Sequence, residues 1–389
     1  MESSSETIKV GSRKSELALI QTNSVIEALK KHYPQMNFEI VKMNTTGDKI
    51  LDKPLPKIGE KSLFTKELEI ALDDKSVDFV VHSLKDLPTT LPTNLAIGGI
   101  CKREDPRDAV VIHSKLEATS LSTLSKSSVI GTSSLRRVAQ LRQHYPHLDV
   151  QSIRGNLNTR LSKLENSVVV ESNEETSNGT NPLKYSAIIL AVAGIERMGW
   201  KEKISQVLEP SELMYAVGQG ALAIECRSDD EKILDLLAPL HDRTTVLRVV
   251  AERCLLKKLG GGCSAPVAVN CTLNAQNDSL SLEAGVWSLD GKKSLKRTKE
   301  TTIKSNEEPP KKIAKADVLF AGIKAGKLDE HELRLAQDLG IQVAEDLIKA
   351  GALEIMDEAR AENETPEAKQ IVEDAKKMAS SGQAEVVKS

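Results

Sequence analysis

Aromatic residues are scarce: four Phe, four Tyr and two Trp among 389 residues. So few stacking side chains argue against a base-stacking surface. An excess of positive charge is missing too. Lys and Arg number 53 against 56 Asp and Glu, giving a net charge of −3 and a pI near 6.2, where a general nucleic-acid or membrane binder is usually basic. No apolar run nears the roughly 20 residues that a bilayer span requires. Met1 to Thr7 is polar, without an apolar signal core. Cysteines are few and odd in number: Cys101, Cys226, Cys254, Cys263 and Cys271. No CxxC or Cys/His ligand spacing joins them, so neither a disulfide framework nor a structural zinc site is expected. The length suits two or three domains, and 40% apolar with 28% charged residues suits a soluble, cytoplasmic globular protein.

What is present is alternation. Ile8-Lys9-Val10 reads as a strand running into Gly11-Ser12-Arg13-Lys14-Ser15, and a helix follows with Leu17, Ile20, Val25 and Leu29 on one face. Asn37 to Met43 reads as a strand, Phe64 to Leu72 as a helix, and Phe79-Val80-Val81 as a buried strand. That strand leads into His82-Ser83-Leu84-Lys85-Asp86-Leu87-Pro88, where Pro88 disfavours helix at Leu87 and sets Asp86 in or beside a turn. The grammar repeats with strands at Ala109 to Ile112, Val129-Ile130, Val150 to Ile153 and the wholly apolar Ala187 to Val192. Such alternation predicts an α/β fold with mostly parallel sheets.

Gly98-Gly99-Ile100-Cys101 and Ala216 to Ala221 are candidate hinges; a chain leaving one lobe at the first and returning at the second would place two lobes around a cleft. Beyond residue 243 the texture becomes that of a small α+β domain. Leu247, Val250, Ala251, Cys254 and Leu255 lie at helical spacing, and Gly260-Gly261-Gly262 stops the helix. Ser279 to Leu289 alternates as a strand, Asp290-Gly291 signals a hairpin, and Val343 to Met356 reads as a helix. Expected domains are residues 1–102 with 221–240, residues 103–220 with a flexible insertion at about 167–184, and residues 243–357. Residues 358–389 read as a disordered tail.

Arginine placement carries most of the chemistry. Arg13, Arg136, Arg137, Arg154 and Arg160 sit at or just after strand-to-helix junctions among small and hydroxyl residues. A helix N-terminus attracts anions, and the guanidinium fork fits a carboxylate or phosphate. One such Arg alone is more often a solvated side chain; three junctions of one pattern favour a polyanion site. Asp86 is the odd acid there, suited to proton transfer or to stabilising a cation. Cys263 lies in Gly260-Gly261-Gly262-Cys263-Ser264-Ala265-Pro266, where glycines allow a bulky group to approach. Cys254 reads as core, and His144 with His147 as a solvated helix end.

Together these motifs carry a resemblance. Gly-Ser-Arg-Lys-Ser, Val-His-Ser-Leu-Lys-Asp-Leu-Pro, Gly-Thr-Ser-Ser-Leu-Arg-Arg, Arg-Gly-Asn-Leu-Asn-Thr-Arg, Val-Gly-Gln-Gly-Ala and Gly-Gly-Cys-Ser-Ala-Pro-Val occur in that order. Over about residues 8–357 the chain closely resembles the hydroxymethylbilane synthase (porphobilinogen deaminase) family. The resemblance implies two periplasmic-binding-protein-like lobes and a small C-terminal domain. It implies head-to-tail joining of four porphobilinogen molecules with loss of ammonia, the chain growing on a dipyrromethane cofactor held by a thioether, here to Cys263. Asp86 matches the catalytic aspartate, which protonates the leaving amine and stabilises the cationic azafulvene. Cofactor and substrate binding falls to Arg13, Ser15, Gln21, Ser83, Lys85, Thr132, Ser133, Ser134, Arg136, Arg137, Arg154, Gly155, Asn156, Arg160 and Gln219. Arg136 and Arg137 are expected to serve carboxylates rather than folding, and residues 49–61 align with a loop over the cleft. No metal, nucleic acid or membrane is implied, and the chain is expected to be a monomer. A non-enzymatic anion binder of the same two-lobe fold is the rival, and it has no need of Gly-Gly-Cys; a DNA-binding regulator would need a reading motif that is not found.

Overall fold

The structure, a computed structural model, describes residues 7–45, 65–167, 185–262, 265–274, 276, 278–304 and 318–363. Cys263, the loop at 49–61, most of the insertion at 167–184 and residues 364–389 lie outside the described residues, while residues 358–363, read as the start of a disordered tail, are helical.

Two mixed sheets form the first 240 residues. The larger runs in spatial order Leu319–Phe320, Ile323–Lys324, Leu95–Ile100, Leu222–Arg227, Phe79–Ser83, Thr7–Arg13 and Asn37–Met43. The smaller runs Asp149–Gln151, Val129–Gly131, Ala187–Ala191, Asp108–Ile112 and Gln206–Val207. The apolar, β-branched strands Phe79–Ser83 and Ala187–Ala191 lie almost wholly buried inside their sheets, as a strand covered on both faces must.

Most strands in each sheet run parallel, as expected, but each sheet also holds a strand antiparallel to both of its neighbours. Thr7–Arg13 pairs parallel with both of its neighbours, and Val129–Gly131 with both of its own. Leu222–Arg227, however, is antiparallel to both of its neighbours, and so is Asp108–Ile112. These are the two strands that follow the crossings between sheets. A strand entering a sheet where the parallel strands end can only run back against them. The crossings therefore lie at the C-terminal ends of the parallel strands, where open α/β sheets bind their ligands. The first crossing also starts later than expected. Gly98 and Gly99 lie inside the buried strand Leu95–Ile100, and the chain leaves the sheet only at Cys101. The second, at Ala216 to Ala221, falls where it was read.

The C-terminal region packs the helix Arg243–Lys258 against the helix Glu330–Lys349 and an antiparallel sheet of Val267–Asn274, Ser279–Trp287 and Ser294–Thr302. Val250, Leu255, Leu282, Val286, Leu333 and Leu347 are buried there in one cluster, each contributing roughly 1.5–3 kcal/mol by burial. The helix expected over Val343 to Met356 is in fact two, Glu330–Lys349 and Ala352–Asn363. They break at Gly351, whose φ of 96° is open to glycine and ends a helix. Leu319–Phe320 and Ile323–Lys324 leave this region and extend the first sheet, with Ile323 beside Ile97.

Candidate functional site

On the first sheet, Thr7–Arg13 and Phe79–Ser83 end side by side, presenting half-buried Arg13 and Ser83. Ser15 sits at the N-cap of the helix Glu16–His32 and makes no side-chain capping bond. Buried Gln21, on that helix, donates through Nε2 to Ser83 Oγ at 2.9 Å. The chain then makes a single 3₁₀ turn, Leu84–Asp86. Leu84 and Leu87 are buried, which turns Lys85 and Asp86 outward; Asp86 is exposed. Leu87 is extended, with φ −84° and ψ 131°, as the following Pro88 requires. Leu84 N donates to Ala221 O at 3.0 Å, tying the turn to the second crossing.

On the second sheet, Val129–Gly131 ends in Thr132, Ser133 and Ser134, with Ser134 capping the helix Leu135–His144. Ser133 Oγ donates to Ile153 O (2.6 Å) and accepts from Ser152 Oγ (2.8 Å), so this hydroxyl stitches two junctions together. Arg136 and Arg137 require correction. The helix buries both arginines alongside Ala139, Gln140 and Leu141. Both reach Asp108, at the start of the strand Asp108–Ile112: Arg136 Nη1 meets Oδ2 at 2.8 Å and Arg137 Nη2 meets Oδ1 at 2.6 Å. Arg136 Nη1 also donates to Met214 O, and Arg137 Nη1 to Ile189 O. They are therefore folding residues as well. Burial alone would push the Asp108 carboxyl up, but the charges of Arg136 and Arg137 hold it well below the ordinary carboxylate range.

At the third junction Gly155 has φ +112°, and a Cβ there would lie 2.5 Å from Thr159 Cγ2, so only glycine fits. Asn156 caps the helix Leu157–Glu165, its Oδ1 accepting from Thr159 N at 2.9 Å. Arg160 Nε donates to Gly155 O at 2.8 Å. Asn158 Nδ2 donates to Glu16 Oε2 at 2.7 Å, so the helix starts of the two sheets face each other directly.

Charges from both sheets thus converge. Burial pulls the Lys85 ammonium down to about 8; Asp86 opposes this and Arg137 reinforces it. Arg160 is likewise disfavoured by burial and by Arg137 and Arg154, with Asp86 opposing, yet it stays charged at neutral pH. Buried Gln219 joins the halves: Nε2 donates to Asp108 Oδ1 (2.8 Å) and Pro106 O (2.7 Å), while Oε1 accepts from Lys85 Nζ (3.4 Å). Asp86 is therefore an acid at the rim of a strongly cationic cleft. Arg137 Nε is buried and finds no hydrogen-bond partner among the described residues, an orphan that a ligand carboxylate would satisfy. The donor set fits a flexible polycarboxylate.

The other expectations fall out as follows. Cys254 is buried, its thiol pushed up to about 11 by burial, as a core residue. The helix Arg243–Lys258 ends just before Gly260; a Cβ at Gly260 or Gly262 would meet nothing within 4 Å, whereas one at Gly261 would lie 2.6 Å from Leu256 Cδ1. His144 is exposed. Asp108 was missed, although an acid opening an all-apolar strand needs a buried partner. Arg197 was also missed; it donates to Gly220 O (2.9 Å) and pairs with Glu104 (2.8 Å) at the crossing. A cavity of about 410 Å³ beside the crossings, lined by Cys101, Arg197 and His241 among others, includes neither Asp86 nor Lys85.

A family model described as porphobilinogen deaminase, dipyromethane cofactor binding domain, matches residues 8–235, and a second, porphobilinogen deaminase, C-terminal domain, matches residues 246–316. Porphobilinogen deaminase of Gloeobacter violaceus is 46% identical over 355 residues, spanning 91% of this chain and 94% of the relative. That of Synechococcus elongatus is 48% identical over 289 residues, spanning 74% and 85%. Among solved structures, the periplasmic VFT2 domain of Bordetella pertussis BvgS shares 13% identity at a TM-score of 0.33, covering 59% of this chain and 85% of that one. So remote a likeness carries no functional weight.

Proposed function

Because the chain belongs to the porphobilinogen deaminase family, we propose how its own residues perform that family's reaction. The enzyme joins four porphobilinogen molecules head to tail, releasing ammonia and forming hydroxymethylbilane. The dipyrromethane cofactor, when bound, supplies the carbon nucleophile on which the chain grows.

Each porphobilinogen brings an acetate and a propionate. In this reading Lys85, Arg13, Arg154, Arg160 and the free Nε of Arg137 take these carboxylates, supported by Ser15, Ser83, Thr132 and Ser133. Asp108 neutralises and aims the arginine pair, and Gln219 ties Asp108 to Lys85. Asp86 gives a proton to the departing amine nitrogen. Its carboxylate then faces the positive charge left on the substrate, which the surrounding cations would otherwise disfavour. Cys263 anchors the cofactor, delivered by the glycine loop after Lys258.

The observation that supports this reading is one exposed carboxylate, Asp86, set near both Lys85 and Arg160, with Arg137 near those two cations. The test is single turnover on preassembled holoenzyme. Asp86→Asn should bind substrate yet turn over roughly 10²-fold more slowly, the scale of a positioned acid–base group, and Asp86→Glu should retain more activity. Near-normal chemistry in Asp86→Asn would move the role elsewhere. We also propose a reducing, cytoplasmic setting, supported by four described cysteines that are all free thiols, and a monomer, supported by the site's assembly from one chain. No described helix is long and apolar enough to cross a membrane.

A further inference from the structure

Arg253 lies at the middle of the helix Arg243–Lys258 and is 1% exposed. Burying a guanidinium is costly unless its donors are engaged, and three backbone carbonyls engage this one. Nη1 donates to Leu87 O at 3.1 Å and Nη2 to Pro88 O at 2.8 Å. Nε and Nη2 both donate to Ala321 O, at 3.0 and 2.9 Å. Leu87 and Pro88 are the two residues that follow Asp86, so one planar fork grips the exit of the turn that displays the acid. The entrance is gripped separately, by Leu84 N on Ala221 O. Leu84 and Leu87 themselves bury into the same apolar cluster as Val249, Val250 and Leu255 of this helix.

The helix has a second consequence. It ends at Lys258, a few residues before Cys263. A single rigid element therefore holds the catalytic turn at Arg253 and leads into the loop that bears the anchoring cysteine. We propose that Arg253 is a positioning residue for Asp86, fixing the turn in register with the loop that leads to Cys263. This rests on the reading of Asp86 as the proton-transfer group. Lys in its place would keep the charge but lose the planar fork that reaches three carbonyls.

The experiment is a double-mutant cycle on purified holoenzyme, with cofactor content read by intact mass, thermal unfolding recorded, and single-turnover rate measured separately from porphobilinogen KM. Arg253→Met should keep its cofactor and its KM within about twofold while the rate falls roughly 10–100-fold, the scale for a displaced catalytic group. Arg253→Lys should fall between it and the wild type. In an Asp86→Asn background, Arg253→Met should slow the rate by less than about threefold further, since its effect runs through Asp86. A wild-type rate in Arg253→Met, or losses that multiply fully with Asp86→Asn, would overturn the proposal and leave Arg253 as structural glue. Should Arg253→Met give no folded holoenzyme, Arg253→Lys decides: a rate at least about threefold down with unchanged unfolding supports positioning, and a wild-type rate rejects it. An unimpaired Asp86→Asn beside a slow Arg253→Met would instead remove the Asp86 assignment itself.

Discussion

Asp108→Asn is the most demanding perturbation of the cleft floor. The wild-type carboxylate is fully buried and accepts from Arg136 (2.8 Å), Arg137 (2.6 Å) and Gln219 (2.8 Å). An amide offers one oxygen where three donors converge, and turns an N–H₂ toward at least one of them. It also leaves two buried guanidiniums without their counter-charge. Breaking a buried pair of this kind costs about 3–5 kcal/mol, against about 0–1 kcal/mol for a surface pair, so the buried value decides. The assay is denaturant unfolding of the two proteins at pH 7, compared by midpoint because a multidomain chain need not be two-state. Holoenzyme yield by intact mass is read in parallel, and it should fall as well, since Arg137 and Gln219 lose their alignment. The pH dependence has a definite sign. The Asp108 carboxyl is held below its ordinary value in the folded protein, so its stabilisation is present above the unfolded pKa of about 3.9 and is lost as pH falls through the folded one. The gap between wild type and Asp108→Asn should close in acid. A midpoint unchanged from wild type at pH 7, with normal cofactor content, would show that Asp108 does not hold the arginines.

Two further outcomes follow from the same geometry. Lys85 is pulled down to about 8 in the cleft without its anionic ligand, so holoenzyme assembly from apoprotein and porphobilinogen should weaken as pH rises through that value, and Lys85→Arg should flatten the decline. Between about 8 and 10.4 the folded protein binds fewer protons at Lys85 than the unfolded chain, so the cost of burying its charge is relieved, stability rises with pH, and unfolding does not mimic the effect; identical profiles in the two proteins would refute it. Gly155→Ala forces a side chain into φ +112° and onto Thr159, straining the Arg154 junction by about 1–3 kcal/mol. Porphobilinogen KM should rise and the melting temperature fall; no change in either would mean that the loop reshapes freely.

What was legible in the sequence was local. Asn37 to Met43 forms its strand to the residue, because alternation and β-branching act on neighbours. Pro88 announces the turn at Asp86, and the glycines of Ala216 to Ala221 announce the second crossing. What was not legible depends on partners far away in the chain. Arg136 and Arg137 look like surface cations in sequence, yet their acid lies 28 and 29 residues earlier, and no periodicity links them to it. Arg253 meets carbonyls 166 and 165 residues away, on a helix whose sequence reads simply as amphipathic. Which strands run antiparallel was not legible for a related reason: each re-entering strand takes its sense from the crossing before it, which strand composition does not encode. The arginine grammar was legible because helix starts and strand ends are local features, which the fold then gathers.

Intact mass of the purified chain bears on all of this at once. Wild-type protein should be heavier than its sequence by two linked pyrrole units, the excess should map to the peptide containing Cys263, and Cys263→Ser should carry none and turn over no porphobilinogen. A wild-type chain of unmodified mass that still makes hydroxymethylbilane would contradict a cofactor anchored at Cys263 and the mechanism built around it.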